Sequence, residues 1–110
     1  MKEQYDASTI IELDYKPLVD SFMNRTSFQL GINYRGHYTN GDSLFICGCE
    51  IARFKESDLQ IKIEPMIGFG VYNLIPNVNL LHDYPISKKV YFNGIEITDF
   101  DNWIFVKNGN

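Results

Sequence analysis

Two Asn-Gly dipeptides, Asn40-Gly41 and Asn93-Gly94, each lie between runs of alternating apolar residues. Both residue types accept the positive φ that a tight two-residue turn demands, and such a turn matches the twist of the strands it joins. The chain is thereby constrained to antiparallel sheet built from hairpins. A two-residue loop also sets the register behind it, because every later pair follows by counting. Around Asn40-Gly41 the loop sets Thr39 opposite Asp42, and the pairs behind it that share one apolar face are Gly36 with Phe45, Tyr34 with Cys47, Ile32 with Cys49 and Leu30 with Ile51. The opposite face would carry Arg35, His37 and Glu50 among Gln29, Asn33 and two glycines. Around Asn93-Gly94, Phe92 with Ile95 and Val90 with Ile97 form an apolar side, and Tyr91 with Glu96 and Lys89 with Thr98 a polar one.

The remaining segments are read from period and punctuation. Ile11, Leu13 and Tyr15 alternate with Glu12 and Asp14 as a first strand. Pro17 ends that strand and suits a first helical position, and Leu18 with Phe22 and Val19 with Met23 fall at i and i+4, so residues 17–25 read as a short amphipathic helix. Leu59, Ile61 and Ile63 point inward and Gln60, Lys62 and Glu64 outward in a strand expected to run on through Pro65 to Phe69 and Val71, with a bulge or a close backbone approach at Gly68 and Gly70. Residues 76–87 show no period and read as a long loop. Residues 99–102 read as a turn into a last strand of Trp103, Ile104, Phe105 and Val106. The expectation is a single domain of 110 residues, predominantly antiparallel, with about six or seven strands and one short helix, either an open α+β arrangement or a small barrel-like sheet packed around that helix.

Compartment and charge narrow the function classes. The start of the chain has no basic stretch followed by an apolar run, and no segment approaches the roughly 20 apolar residues of a spanning helix, so a cytoplasmic location is expected. Two cysteines separated by one residue do not make a disulfide framework. The net charge is −4 and is concentrated at the ends, with five acids against two lysines in residues 1–20, and Glu96, Asp99 and Asp101 without a base in residues 93–106. Joined on one face, these ends would attract a basic partner and repel nucleic acid.

No residue pattern has the spacing of a diagnostic catalytic motif. Cys47-Gly48-Cys49 lacks the two to four intervening residues of a zinc knuckle, and the expected register buries both thiols on the face away from His37, so no metal is expected. His82-Asp83 is too close in sequence for triad geometry. Gly68-Phe69-Gly70 lacks a third glycine, and Asp99-Phe100-Asp101-Asn102 lacks the glycine and the distal glutamate of a calcium loop. No cofactor and no catalytic set are therefore assigned. What remains is Glu96, Asp99, Phe100, Asp101 and Trp103, with Asp83 and Tyr84 from the long loop. Here acids alternate with large aromatics, as in protein-binding patches. The expected function is non-enzymatic inhibition by a toxin-immunity or phage-encoded anti-defence protein, whose acidic and aromatic face occupies the basic cleft of a partner such as a nuclease. The alternatives are a small ribonuclease-like hydrolase using His37, Glu50 and Arg35, or His82, and a structural subunit that forms homo-oligomers.

Overall fold

A computed structural model describes residues 14–30, 36–64, 66–83 and 89–106. Helix α1 spans Lys16–Met23, with Pro17 in its first turn and Leu18, Val19 and Phe22 buried. The inward face agrees with the sequence reading, while the helix begins one residue earlier, at Lys16, and stops two residues early because Arg25 turns left-handed at φ 62°. Tyr15 is the residue before the helix instead of the end of a strand, and Ile11 and Leu13 lie outside the described residues.

Among the described residues, nine strands follow in two antiparallel sheets. The larger contains β1 (Ser27–Gln29), β2 (Tyr38–Asn40), β3 (Ser43–Ile46), β4 (Cys49–Lys55), β5 (Asp58–Ile61) and β9 (Ile104–Phe105), in the order β1-β2-β3-β4-β5-β9. The smaller is a meander of β6 (Leu80–His82), β7 (Val90–Phe92) and β8 (Ile95–Ile97). The described strands form two open sheets, so the barrel-like alternative is not formed, and the count exceeds six or seven because long strands are divided by turns.

The second hairpin has the expected register, with Phe92 opposite Ile95, Tyr91 opposite Glu96 and Val90 opposite Ile97. Asn93 at φ 50° and Gly94 at φ 87° supply the two left-handed residues of the turn. The first hairpin departs from expectation. Thr39 faces Leu44 and Tyr38 faces Phe45, so the bend lies one residue further along, at Gly41 and Asp42. Asn40 does not adopt a left-handed turn conformation; its side-chain oxygen accepts the N–H groups of Asp42 and Ser43, both at 2.9 Å, and Gly41 alone takes positive φ. Thr39 is buried at this bend because its hydroxyl donates to the Ser43 carbonyl and accepts the Gly41 N–H.

A second correction follows at Cys47-Gly48, which is itself a turn. Cys47 at φ 53° and Gly48 at φ 78° bring Ile46 opposite Cys49, and the expected continuous strand becomes β3 and β4. Cys47 is therefore exposed and Cys49 half-buried, against the expectation that both thiols line an apolar face. Leu30 pairs with no residue of β4; its N–H donates to the His37 carbonyl, and Ile32 and Tyr34 lie outside the described residues.

Register places Phe28, Thr39, Leu44, Ala52, Ile61 and Ile104 in one row across all six strands. That row faces the core, and α1 packs over the β1, β2 and β3 end of it, with Phe22 against Phe54 at 4.9 Å between ring centroids. A bulge in β4 leaves Ile51 as an extra residue, so Ile51 and Ala52 are both fully buried in succession.

Past β5 the expected strand does not continue. Phe69–Tyr72 forms a single helical turn, α2, and neither Gly68 nor Gly70 meets a close neighbour, so the anticipated bulge or backbone approach is absent there. The buried Tyr72 donates its hydroxyl to the Lys62 carbonyl at 2.7 Å and accepts the Glu64 N–H at 2.8 Å, which ends the strand by engaging its backbone. Gln60 lies on the face away from the core row, as expected, but is covered there and buried. The long loop expected over 76–87 contains β6, whose Leu80 exchanges hydrogen bonds with the Asn73 amide as if with a neighbouring strand.

Arg25 joins three turns. Its Nε donates to the Gly41 carbonyl and its Nη2 to Asp42 Oδ1, both at 2.9 Å, its Nη1 reaches the Glu56 carbonyl at 3.4 Å, and its guanidinium lies 4.5 Å from the centre of the Phe54 ring. Lysine cannot reproduce that fork. Arg25→Lys is expected to lower stability by about 1 kcal/mol, read as a lower urea midpoint with unchanged slope.

Candidate functional site

The core-facing row described above leaves the opposite face of the larger sheet to a second set of residues. Tyr38, Phe45 and Glu50 share one row, and Ser43, Arg53, Gln60 and Phe105 the next. Tyr38 and Phe45 are stacked at 4.5 Å with their rings 9° from parallel. The Ser43 hydroxyl donates to Glu50, and Arg53 Nε donates to Gln60 Oε1 at 2.8 Å. The Arg53 guanidinium lies 4.0 Å from the centre of the Trp103 ring, a cation–π contact that places the indole on this face. Phe105, in the edge strand β9, is 61% exposed. Among the described residues β9 pairs only with β5, so its outer backbone groups have no sheet partner there.

The segment leading into this edge is acidic. Asp99 Oδ1 accepts the Asp101 N–H at 2.9 Å and its other oxygen accepts the Asn102 amide, an Asx-type turn that holds Asp99 and Asp101 exposed just before Trp103. Phe100, between the two acids, is partly buried against the core. Four of the sequence-derived patch residues, Asp99, Phe100, Asp101 and Trp103, thus occupy one connection. Asp83 and Glu96 belong to the smaller sheet. Asp83 exchanges hydrogen bonds with the backbone of Lys89 at the end of β6, and Glu96 is exposed on β8 opposite Tyr91. Tyr84 lies outside the described residues. Arg53, Gln60 and Phe105 were missed from sequence because only the pairing of β4, β5 and β9 places them beside Trp103.

The set considered for hydrolysis is dispersed differently from expectation. Arg35 lies outside the described residues. His37 precedes β2, and its Nδ1 accepts the Cys47 N–H at 3.1 Å, which brings the imidazole to the Cys47-Gly48 turn instead of to the opposite side of the sheet. Gly36 is needed beside that turn, because a Cβ there would stand 2.7 Å from the Gly48 nitrogen. Glu50 is held by Ser43 on the outer face, and His82 lies edge-on to Phe69 at 5.4 Å on β6. Among the described residues no three His, Cys, Asp or Glu side chains converge as a metal site, and no helix is long and apolar enough to cross a membrane.

Comparison of the chain with protein-family models, with curated proteins and with solved structures gives no match.

Burial holds the His37 pKa below its ordinary 6.5. The neutral ring is favoured in the fold, where Nδ1 must accept the Cys47 N–H. As pH falls, the unfolded chain takes up a proton at this histidine first. The contribution of His37 to stability is complete above 6.5 and is lost as pH falls through the lowered folded value. Urea midpoints at about pH 7.5 and about pH 5.5 are therefore expected to differ more for the natural chain than for His37→Asn, which keeps an acceptor without titrating.

Proposed function

We propose that the protein is a non-catalytic, protein-binding inhibitor of the toxin-immunity or anti-defence kind. Its acidic and aromatic edge covers a basic cleft on a partner such as a nuclease. One observation carries the reading: an exposed, hydrogen-bonded acidic turn at Asp99–Asp101 runs directly into Trp103 and the exposed Phe105, on a strand that among the described residues pairs on one side alone. Aromatic anchors beside charge supply the two parts of such an interface. The rings give buried area, and the carboxylates steer encounter with a cationic surface. Arg53, itself held by Gln60, stacks on Trp103, so the anchor is ordered before binding and little conformational freedom is lost on association.

The Asx turn fixes the backbone of the acids but leaves their charges in solvent, where steering is strongest at low salt. The test is capture of a partner from native lysate at low salt, followed by kinetics with the purified partner. Asp99→Asn, which removes the charge but keeps an acceptor oxygen for the Asp101 N–H, combined with Asp101→Lys is expected to slow association about tenfold and to weaken its salt dependence, leaving stability within about 1 kcal/mol of the natural chain. Unchanged association by the folded double variant would remove the acidic turn from the interface. Phe105→Ala is expected to act on dissociation instead, since it removes buried area and leaves the charge intact.

A further inference from the structure

A cavity of about 590 Å³ opens between the start of α1, the β3–β4 turn and residues 66–74. It belongs to a different part of the fold from the acidic edge. Ile46, Ile67 and Val71 give it apolar walls, Tyr15 adds an aromatic ring, and Asp14 is the one charged residue among those described as lining it. A pocket of this size and apolar character, with a single polar handle, suits a small molecule.

Three further features point to an occupant. Gly68 and Gly70 both line the cavity, neither has positive φ, and a Cβ at either would meet no atom within 4 Å. The backbone angles require glycine at neither position, and at Gly70, within the helical turn, glycine is destabilising relative to alanine. What the two glycines provide is bare backbone along one side of the cavity. Met66 and Leu74, also at the cavity, are 92% and 41% exposed, and flexible thioether and branched side chains left in solvent at a rim can fold over a bound body.

The charge is set by α1. Asp14 Oδ1 accepts the Lys16 N–H at 3.0 Å, and no other hydrogen bond or ion pair engages Asp14 among the described residues. The nearest cation in sequence, the Lys16 ammonium, is held by Asp20 at 3.2 Å. The carboxylate therefore remains available to a cation at the cavity, beside an aromatic ring whose face also attracts positive charge.

We propose that this pocket binds a small organic amine in its ammonium form, with the ammonium group at Asp14 and Tyr15 and an aliphatic or aromatic body against Ile46, Val71 and the Gly68 and Gly70 backbone. The selectivity comes from Asp14 and the affinity from the apolar walls. Because the pocket lies apart from Trp103 and Phe105, this inference stands or falls independently of the inhibitor reading.

The test titrates the full chain with phenethylamine, phenethyl alcohol and phenylpropionate, followed in amide proton–nitrogen correlation spectra. Phenethylamine is expected to shift the amides of Cys47, Gly68 and Gly70 and to saturate with a Kd in the millimolar range. The alcohol is expected to bind about two- to fivefold more weakly and the carboxylate more weakly still. Asp14→Asn keeps an acceptor for the Lys16 N–H and should bring the amine down to the affinity of the alcohol. Gly70→Leu, which fills the cavity from an unhindered position, should remove the binding of both. Absence of shifts at these amides, equal binding of the three compounds, or an amine preference that survives Asp14→Asn would overturn the proposal. Asp14→Asn decides the question even if Gly70→Leu does not fold.

Discussion

The guanidinium of Arg25 is the constraint on which the larger sheet depends. It stands just past α1, in a left-handed residue that reverses the chain, and from there it binds the carbonyl of the β2–β3 bend, the carboxylate of the next residue and the carbonyl of the β4–β5 turn. Three separate reversals are thereby referred to one planar group. Gly41 is part of the same arrangement, since a side chain there would press on the Arg25 carbonyl at 3.0 Å in addition to being strained at φ 94°. With the bend held at Gly41 and Asp42, Thr39 must face Leu44, and the rows that follow put Leu44, Ala52 and Ile61 in the core and Arg53, Gln60 and Phe105 on the other side. The composition of the candidate binding face is thus a consequence of where a distant turn is fixed.

The two Asn-Gly pairs show how far sequence alone could reach. At Asn93 and Gly94 the backbone of both residues goes left-handed, and counting outward from the turn gave the observed ladder. At Asn40 the side chain competes with that use, accepting two backbone N–H groups, and the bend moves on by one residue. The same ambiguity hid the Cys47-Gly48 turn, because cysteine reads as a small apolar residue suited to a strand, whereas here it takes positive φ beside a glycine. Helix α1 was legible from its i, i+4 spacing; α2 was not, since four residues are too few to show a helical period against the strand pattern before them. Asn73, which supplies Leu80 with both of its hydrogen bonds, carries no local signal, since its partner is seven residues away in a segment that read as loop.

The candidate site was legible in the part that is contiguous in the chain. Asp99, Phe100, Asp101 and Trp103 occur together in sequence and remain together on one connection. The residues that complete the face come from β4, β5 and β9 and become neighbours only through pairing, so no window of sequence contains them. The separation of the thiols from the imidazoles was expected from a ladder that does not form. His37 and Cys47 are in fact joined by a hydrogen bond, because Gly36 allows the preceding segment to approach the turn.

The buried hydroxyl of Tyr72 has a consequence for how the molecule moves. A helical turn of four residues has almost no stability of its own, and α2 is held in place because that hydroxyl binds the backbone at both Lys62 and Glu64. The turn and the residues beyond β5 therefore open as one cooperative unit, since neither can leave without stranding a buried polar group. Val71 and Leu74, which border the cavity, ride on that unit. The width of the cavity is consequently coupled to fraying beyond the end of β5, a motion of the scaffold itself.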